Sequence, residues 1–251
     1  MGEGLVKIIS WSAQGAVFLL VISSFGHNAS LVPFRLALLG VVVGLLLCTL
    51  VVLVAVVLLS LAVAKKRPLR AEYLLLAAIC SMGPGIAAYR IGIDGIRAPM
   101  IHDITSDTVN PPVFLFTQQD EGFRENSLIY GDGRISAEQL VAIQLSAYPD
   151  IHTMTVEVPA RRVYQKALFV SSMLGWKVSA QDVSILHFEA QGATDMFGLA
   201  YDVVVRITSL DEQSSAIDIR SVVRVGASDL GSNAKRIRHF FDKLGEELII
   251  R

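Results

Sequence analysis

Hydrophobic positions run almost unbroken through the first part of the chain and alternate with polar ones in the last. Leu36 to Ala64 holds 29 residues without a charge, where about 20 suffice to cross a bilayer. The excess length implies tilt or an end that protrudes. Ile8 to Phe25 is also uncharged, although Ser10, Ser12 and Gln14 interrupt it. Tyr73 to Tyr89 is shorter and contains Gly83-Pro84-Gly85, a combination expected to kink or end a helix. These stretches predict three transmembrane helices over 8–25, 36–64 and 73–89, within an anchor spanning residues 1–98. Lys7 ahead of the first stretch also fits a signal peptide, but no small-x-small cleavage site follows it cleanly.

Residues 91–135 lack periodicity, with Pro99, Pro111-Pro112 and Gly131-Asp132-Gly133 as breakers. Ser136 and Gln139 have the spacing of a capping box that opens a short helix. Residues 99–150 therefore read as a linker and capping segment. From Ile151 the pattern sharpens. A β-rich run over 153–158 leads to Pro159, and Val163, Ala167, Val170 and Leu174 recur at helical spacing up to Gly175. Trp176 starts a strand, and three alternating runs follow at Val183–Ala190, Leu199–Ser209 and Ser215–Val225. Each alternates as a strand with one wet face does. Asn233 to Ile250 carries Ile237, Phe240, Phe241, Leu244 and Leu248 on one face of a closing helix. The fold class is α+β: membrane helices, then a β-α-β-β-β-β-α antiparallel sheet domain over 151–251 with both helices on one face. Helix-grip, lipid-binding and TATA-binding-protein-like folds share this plan, which by itself fixes no function.

Charge divides the chain. Residues 1–98 hold eight Lys/Arg and three Asp/Glu, and residues 99–251 hold fourteen and twenty. So acidic a domain is a poor partner for nucleic acid, whose binding neutralises phosphates. The basic run Lys65-Lys66-Arg67-Pro68-Leu69-Arg70 fits a cytoplasmic loop. With three spans, that loop places the C-terminal domain on the periplasmic side of a bacterial inner membrane. No Asp, Glu, Lys, Arg or His sits mid-span in the three stretches, so they read as an anchor in the lipid bilayer and not as a pathway. Asn28-Ala29-Ser30 matches a glycosylation sequon and reads as a turn before Pro33. Cys48 and Cys80, the only cysteines, lie in apolar runs and read as small side chains in lipid. The acidic domain has none, which excludes a disulfide framework and a thiolate zinc site.

Two segments carry a family resemblance. One is Ile101-His102-Asp103-Ile104-Thr105-Ser106-Asp107 with Pro111-Pro112-Val113-Phe114 after it. The other runs from Asp218 to Asn233, with Arg236-Ile237 beyond. Together they resemble the bacterial domain of unknown function 1499 over roughly residues 100–250. The resemblance implies a membrane-embedded N-terminus. It implies no activity, no cofactor and no site residues.

Candidate chemistry centres on the second segment. On a strand, Asp218, Arg220, Val222 and Arg224 face one way and Ile217, Ile219, Ser221 and Val223 the other. Asp202, Val204 and Arg206 follow the same alternation on the neighbouring strand. Arg220 and Arg224, with Ser228, Asp229, Asn233 and Arg236 at the start of the last helix, are a candidate anion site. The competing reading is internal: Asp229 caps the helix and pairs with Arg224 or Arg236, while Asp202 and Asp218 pair with Arg206 and Arg220. His102, Asp103 and Asp107 lack the spacing of a known metal motif. No nucleophile elbow, phosphate loop or dinucleotide fingerprint is present. Phe169, Met173, Trp176, Phe188, Met196, Phe197 and Tyr201 would either line an apolar ligand cavity or fill an ordinary core. Met196 and Phe197 also sit in a loop that could touch the membrane. The expectation is a membrane-tethered, non-enzymatic domain that binds a partner protein or an apolar or anionic small ligand. The alternatives are an envelope enzyme acting on an anionic substrate, with Asp229 or Asp103 as base, and an assembly subunit acting through its spans.

Overall fold

The computed structural model describes residues 3–29, 31–66, 71–117, 124–132, 135–194 and 198–249. Ser30, Arg67–Arg70, Gly133 and Met196–Phe197, which carry parts of the expected sequon, basic loop, turn and apolar loop, lie outside them. The chain divides into two units, met in turn below.

The N-terminal unit is helical: α1 (Glu3–Asn28), α2 (Phe34–Ala64) and α3 (Ala71–Ile96). Among the described residues, two helices are long and apolar enough to cross a membrane, Ile8–His27 and Arg35–Ala64. The three expected spans thus become two. The apolar segment of α3, Leu75–Ile86, is shorter, and twelve helical residues cover about 18 Å of a core about 30 Å thick. Gly83-Pro84-Gly85 does not end α3, which continues to Ile96 with Pro84 inside it. Proline is tolerated in apolar helices where neighbours re-satisfy the freed backbone groups.

Small residues bring α1 and α2 together. A Cβ on Gly40 would lie 2.1 Å from Ser23 Oγ, and one on Gly44 would lie 2.8 Å from Leu20 Cγ. Gly40 and Gly44 form a small-x-x-x-small step that lets two helices approach closely. Ala13, Ala16, Cys48, Val51 and Cys80 are buried in the same cluster. The outward positions are large and apolar, including Trp11, Phe18 and Phe25 on α1 and Leu39, Leu46, Leu50 and Leu53 on α2. A surface of that kind suits lipid and not water.

The C-terminal unit is built on one antiparallel sheet. Its strands are β1 (Asp103–Thr105), β2 (Met154–Val156), β3 (Lys177–Asp182), β4 (His187–Ala193), β5 (Ala200–Ser209) and β6 (Ser215–Val223). The order is β1-β6-β5-β4-β3, with β2 also on β6. One edge of β6 therefore pairs with β5 and the other is shared by β1 and β2. All nine residues of β6 are buried. Strand β3 carries a register shift between Val178 and Ala180. Residues 99–150, expected as a linker and capping segment, supply β1 and helix α4 (Ala137–Ala147), whose capping box of Ser136 and Gln139 is present.

Helices α5 (Ala160–Met173) and α6 (Ser232–Ile249) cover one sheet face. Ile217, Ile219, Val223, Val203, Val205, Phe188 and Ala190 point to it, and Val163, Ala167, Val170, Ile237, Phe240 and Leu244 meet them. Each large apolar side chain buried in this way contributes about 1.5–3 kcal/mol. Trp176 stacks on Phe240 at 5.4 Å between centroids. Gly175, at φ +74, ends α5 in the left-handed region where glycine is unstrained. The other sheet face was expected to be wet. It is buried as well, under residues 106–117 and 124–130.

Candidate functional site

That second face collects the charged side chains of the strands. Cross-strand neighbours share a face, and the register pairs Arg206 with Asp218, Val204 with Arg220, Asp202 with Val222, Glu189 with Val204 and Asp103 with Val222. Five acids and four arginines of the domain meet there, nearly all within its own fold.

Arg220 is 1% exposed. Its Nε and Nη2 donate to Asp103 at 3.0 and 2.7 Å, Nη2 also to the Leu128 carbonyl at 2.9 Å, and Nη1 to the Pro112 carbonyl at 3.2 Å. The rings of Phe114 and Tyr130 lie 5.4 and 5.2 Å from its guanidinium carbon. A buried charge this fully partnered is neutralised and held in place.

Arg224 grips Asp202 through Nε and Nη2 at 2.9 and 2.7 Å, and Arg124 Nη1 reaches the same carboxylate at 2.8 Å. Among the described residues, Arg124 Nε and Nη2 are buried without a hydrogen-bond partner. Arg206 Nη2 donates to Asp107 at 2.9 Å and to Asp218 at 2.8 Å. Ser106 and Thr153 hydroxyls donate to Asp218 as well.

Glu189 lies at the fourth cluster. It accepts from the backbone N–H groups of Leu115, Phe116 and Thr117, and its carboxylate is 3.1 Å from His187 Nε2. Burial pushes the Glu189 carboxyl up, but His187, Thr117 and the two other N–H groups outweigh it and hold it at about 2.

The six residues of the candidate anion site separate in the fold. Arg220 and Arg224 lie on this sealed face. Ser221, on the helix-covered face, donates to Asn233, and Arg236 donates to Ser221 at 2.8 Å and to Asn233. Arg236 also lies over the Tyr201 ring at 3.3 Å. Burial depresses the Arg236 guanidinium, with Tyr201 and Asp229 opposing. Asp229 accepts from the backbone N–H groups of Gly231 and Asn233 at 2.8 and 2.7 Å and so occupies the start of α6 itself. Burial raises its carboxyl, and those two N–H groups act against the rise. Ser228 donates to the Pro99 carbonyl and accepts from the Leu230 N–H.

Of the possible metal ligands, Asp103 and Asp107 are bonded to Arg220 and Arg206, and the His102 carbonyl accepts from Val223 and Asn233. No cluster of three or more metal-ligating side chains occurs among the described residues. His102, Asp103, Ile129, Gly131, Asp132, Ile135 and Leu140 line a cleft of about 10 Å³, room for a group the size of one water. Of the suggested cavity residues, Trp176, Phe188 and Tyr201 are buried against aromatic rings or Arg236, whereas Phe169 and Met173 are half exposed.

Sequence reasoning passed over Glu189 and Arg124. Glu189 did carry a signal: a lone carboxylate between Phe188 and Ala190, inside a strand, needs donors from elsewhere. Arg124 carried none, because its partner lies 78 residues away.

Fold and site define a class: an α+β domain behind apolar helices, whose charged sheet face is closed by its own leading segment. A family model described as a protein of unknown function (DUF1499) matches residues 103–244, and the chain belongs to that family. No curated protein matches the chain. Among solved structures, the di-domain aromatase/cyclase StfQ from the steffimycin biosynthetic pathway is 11% identical with a TM-score of 0.32, over 38% of this chain and 43% of that one. The Zhui aromatase/cyclase from Streptomyces sp. R1128 is 13% identical with a TM-score of 0.30, over 39% of this chain and 91% of that one.

Proposed function

We propose that the chain is a membrane-tethered, non-catalytic binding domain whose partner is a protein. The observation that carries this reading is the consumption of the charged residues. Asp103, Asp107, Asp202, Asp218 and Glu189 are each bonded to an arginine or to backbone N–H groups. An envelope enzyme would need one of them as a base beside an accessible arginine. The solvent-facing side of α5 offers a contact surface instead, with Phe169 52% and Met173 53% exposed one helical turn apart.

Affinity capture of the full chain in mild detergent tests this. A protein recovered with the wild type should be lost with Phe169→Ser/Met173→Ser. Identical recovery with both would sink the reading. Arg124 Nε and Nη2, which have no hydrogen-bond partner among the described residues, favour a second reading, a small anion bound beside Asp202 and Arg224. Phosphate or acetate titrated into the protein should then raise its melting temperature, and Arg124→Gln should abolish that rise.

The proposed location is the bacterial inner membrane, with the domain on the periplasmic side. That side needs the basic loop at 65–70 inside and a third crossing by α3. With α1 and α2 alone across, the same loop would keep the domain in the cytoplasm. A cysteine at exposed Glu212, labelled in intact cells by a membrane-impermeant maleimide, reports the periplasmic side. Labelling only after lysis would overturn it.

A further inference from the structure

The only two cysteines of the chain meet. Cys48 of α2 and Cys80 of α3 are both wholly buried in one cluster of packed side chains, where their thiols interact. Neither position is casual. Cys48 lies near the middle of the apolar stretch Arg35–Ala64, and Cys80 at the middle of Leu75–Ile86. Around them the three helices converge on small residues. Leu20 of α1 fills the space that a Cβ on Gly44 of α2 would take, and lies 3.0 Å from where a Cβ on Gly83 of α3 would be. Gly44 and Cys48 are one turn apart on α2, and Cys80 and Gly83 one turn apart on α3. Leu20 of α1 thus packs beside the turn of α2 that carries Cys48 and the turn of α3 that carries Cys80.

We propose that Cys48 and Cys80 form a redox-linkable dithiol in the apolar layer, which fastens α3 to α2 at mid-depth. This rests on the reading that α2 lies in lipid. Reduced, the two helices are held by packing alone. Oxidised, both S–H bonds break, one S–S bond forms, and two electrons and two protons pass to the oxidant. Because both thiols are excluded from water, that oxidant is a lipid-dissolved quinone, which leaves as the hydroquinone. The contact also sets the depth of α3. A helix whose centre touches the centre of a spanning helix enters the bilayer and does not lie along its surface.

The experiment uses the full chain in its own membranes. The membranes are treated with a short-chain benzoquinone or, separately, with the permeant diazene diamide, unfolded in detergent, and alkylated with a mass-tagged maleimide. Untreated protein should take two tags and oxidised protein none, and dithiothreitol should restore both. Peptide mapping should find Cys48 joined to Cys80 within one chain, and Cys80→Ala should leave Cys48 taggable under every condition. Two tags after both oxidants, or a link only between chains, overturns the proposal. Alkaline carbonate extraction reads the lipid setting separately. Release of a protein that still cross-links would remove the membrane reading and the quinone with it, while the thiol contact itself would remain.

Discussion

A carboxylate without water needs donors, and Glu189 takes three consecutive backbone N–H groups and the edge of His187. Its folded pKa of about 2 lies below the ordinary value of 4.5. The stabilisation is thus present above that ordinary value and is lost as pH falls towards the folded one. The difference corresponds to something on the order of 3 kcal/mol. Glu189→Gln is expected to lose about 2–3 kcal/mol near neutral pH and to flatten the acid limb, as read by urea denaturation across that range. Arg220 sets a second test. Arg220→Met leaves Asp103 buried and unpaired, and should cost about 3–5 kcal/mol. Adding Asp103→Leu should recover most of it, and a double variant no more stable than the single would refute the pairing. The alternation of β6 made the sidedness of Asp218, Arg220 and Arg224 legible in the sequence. It could not name their partners, because Asp103 is 117 residues from Arg220 and nothing local connects them.

Helices were easier to read than the segments between them. Ser136 and Gln139 announced α4, and the spacing from Val163 to Leu174 announced α5, because caps and a 3.6-residue period are local signals. Strand β1 is three residues long, too short for a period of two to be visible between Pro99 and Pro111-Pro112. The cover of the second sheet face was missed for the same reason. It is held by side-chain bonds to the strands and has no repeat of its own. In the helical unit, Gly40 and Gly44 form the step that seats α1. Gly40→Val should therefore separate α1 from α2 and lower the melting temperature in detergent by several degrees. Gly15→Ala meets open space and should leave it unchanged or higher.

At the scale of the molecule, hydropathy picked out the helices long and apolar enough to cross a membrane, because length without charge is a local signal. It did not fix the number of crossings. Asp/Glu-poor residues 1–98 and acid-rich residues 99–251 differ in net charge by eleven, +5 against −6, and that asymmetry survives either count. The proposed tethering would have a further effect, since a membrane confines copies to two dimensions and raises their encounter rate. Sheets with long open borders would then join strand to strand. Here one border consists of two three-residue strands set end to end, and the other, β3, is broken by its shift at Val178 and begins with a lysine. Neither offers a run of free N–H and C=O groups long enough to template a neighbour, so crowding on the bilayer should leave these domains separate.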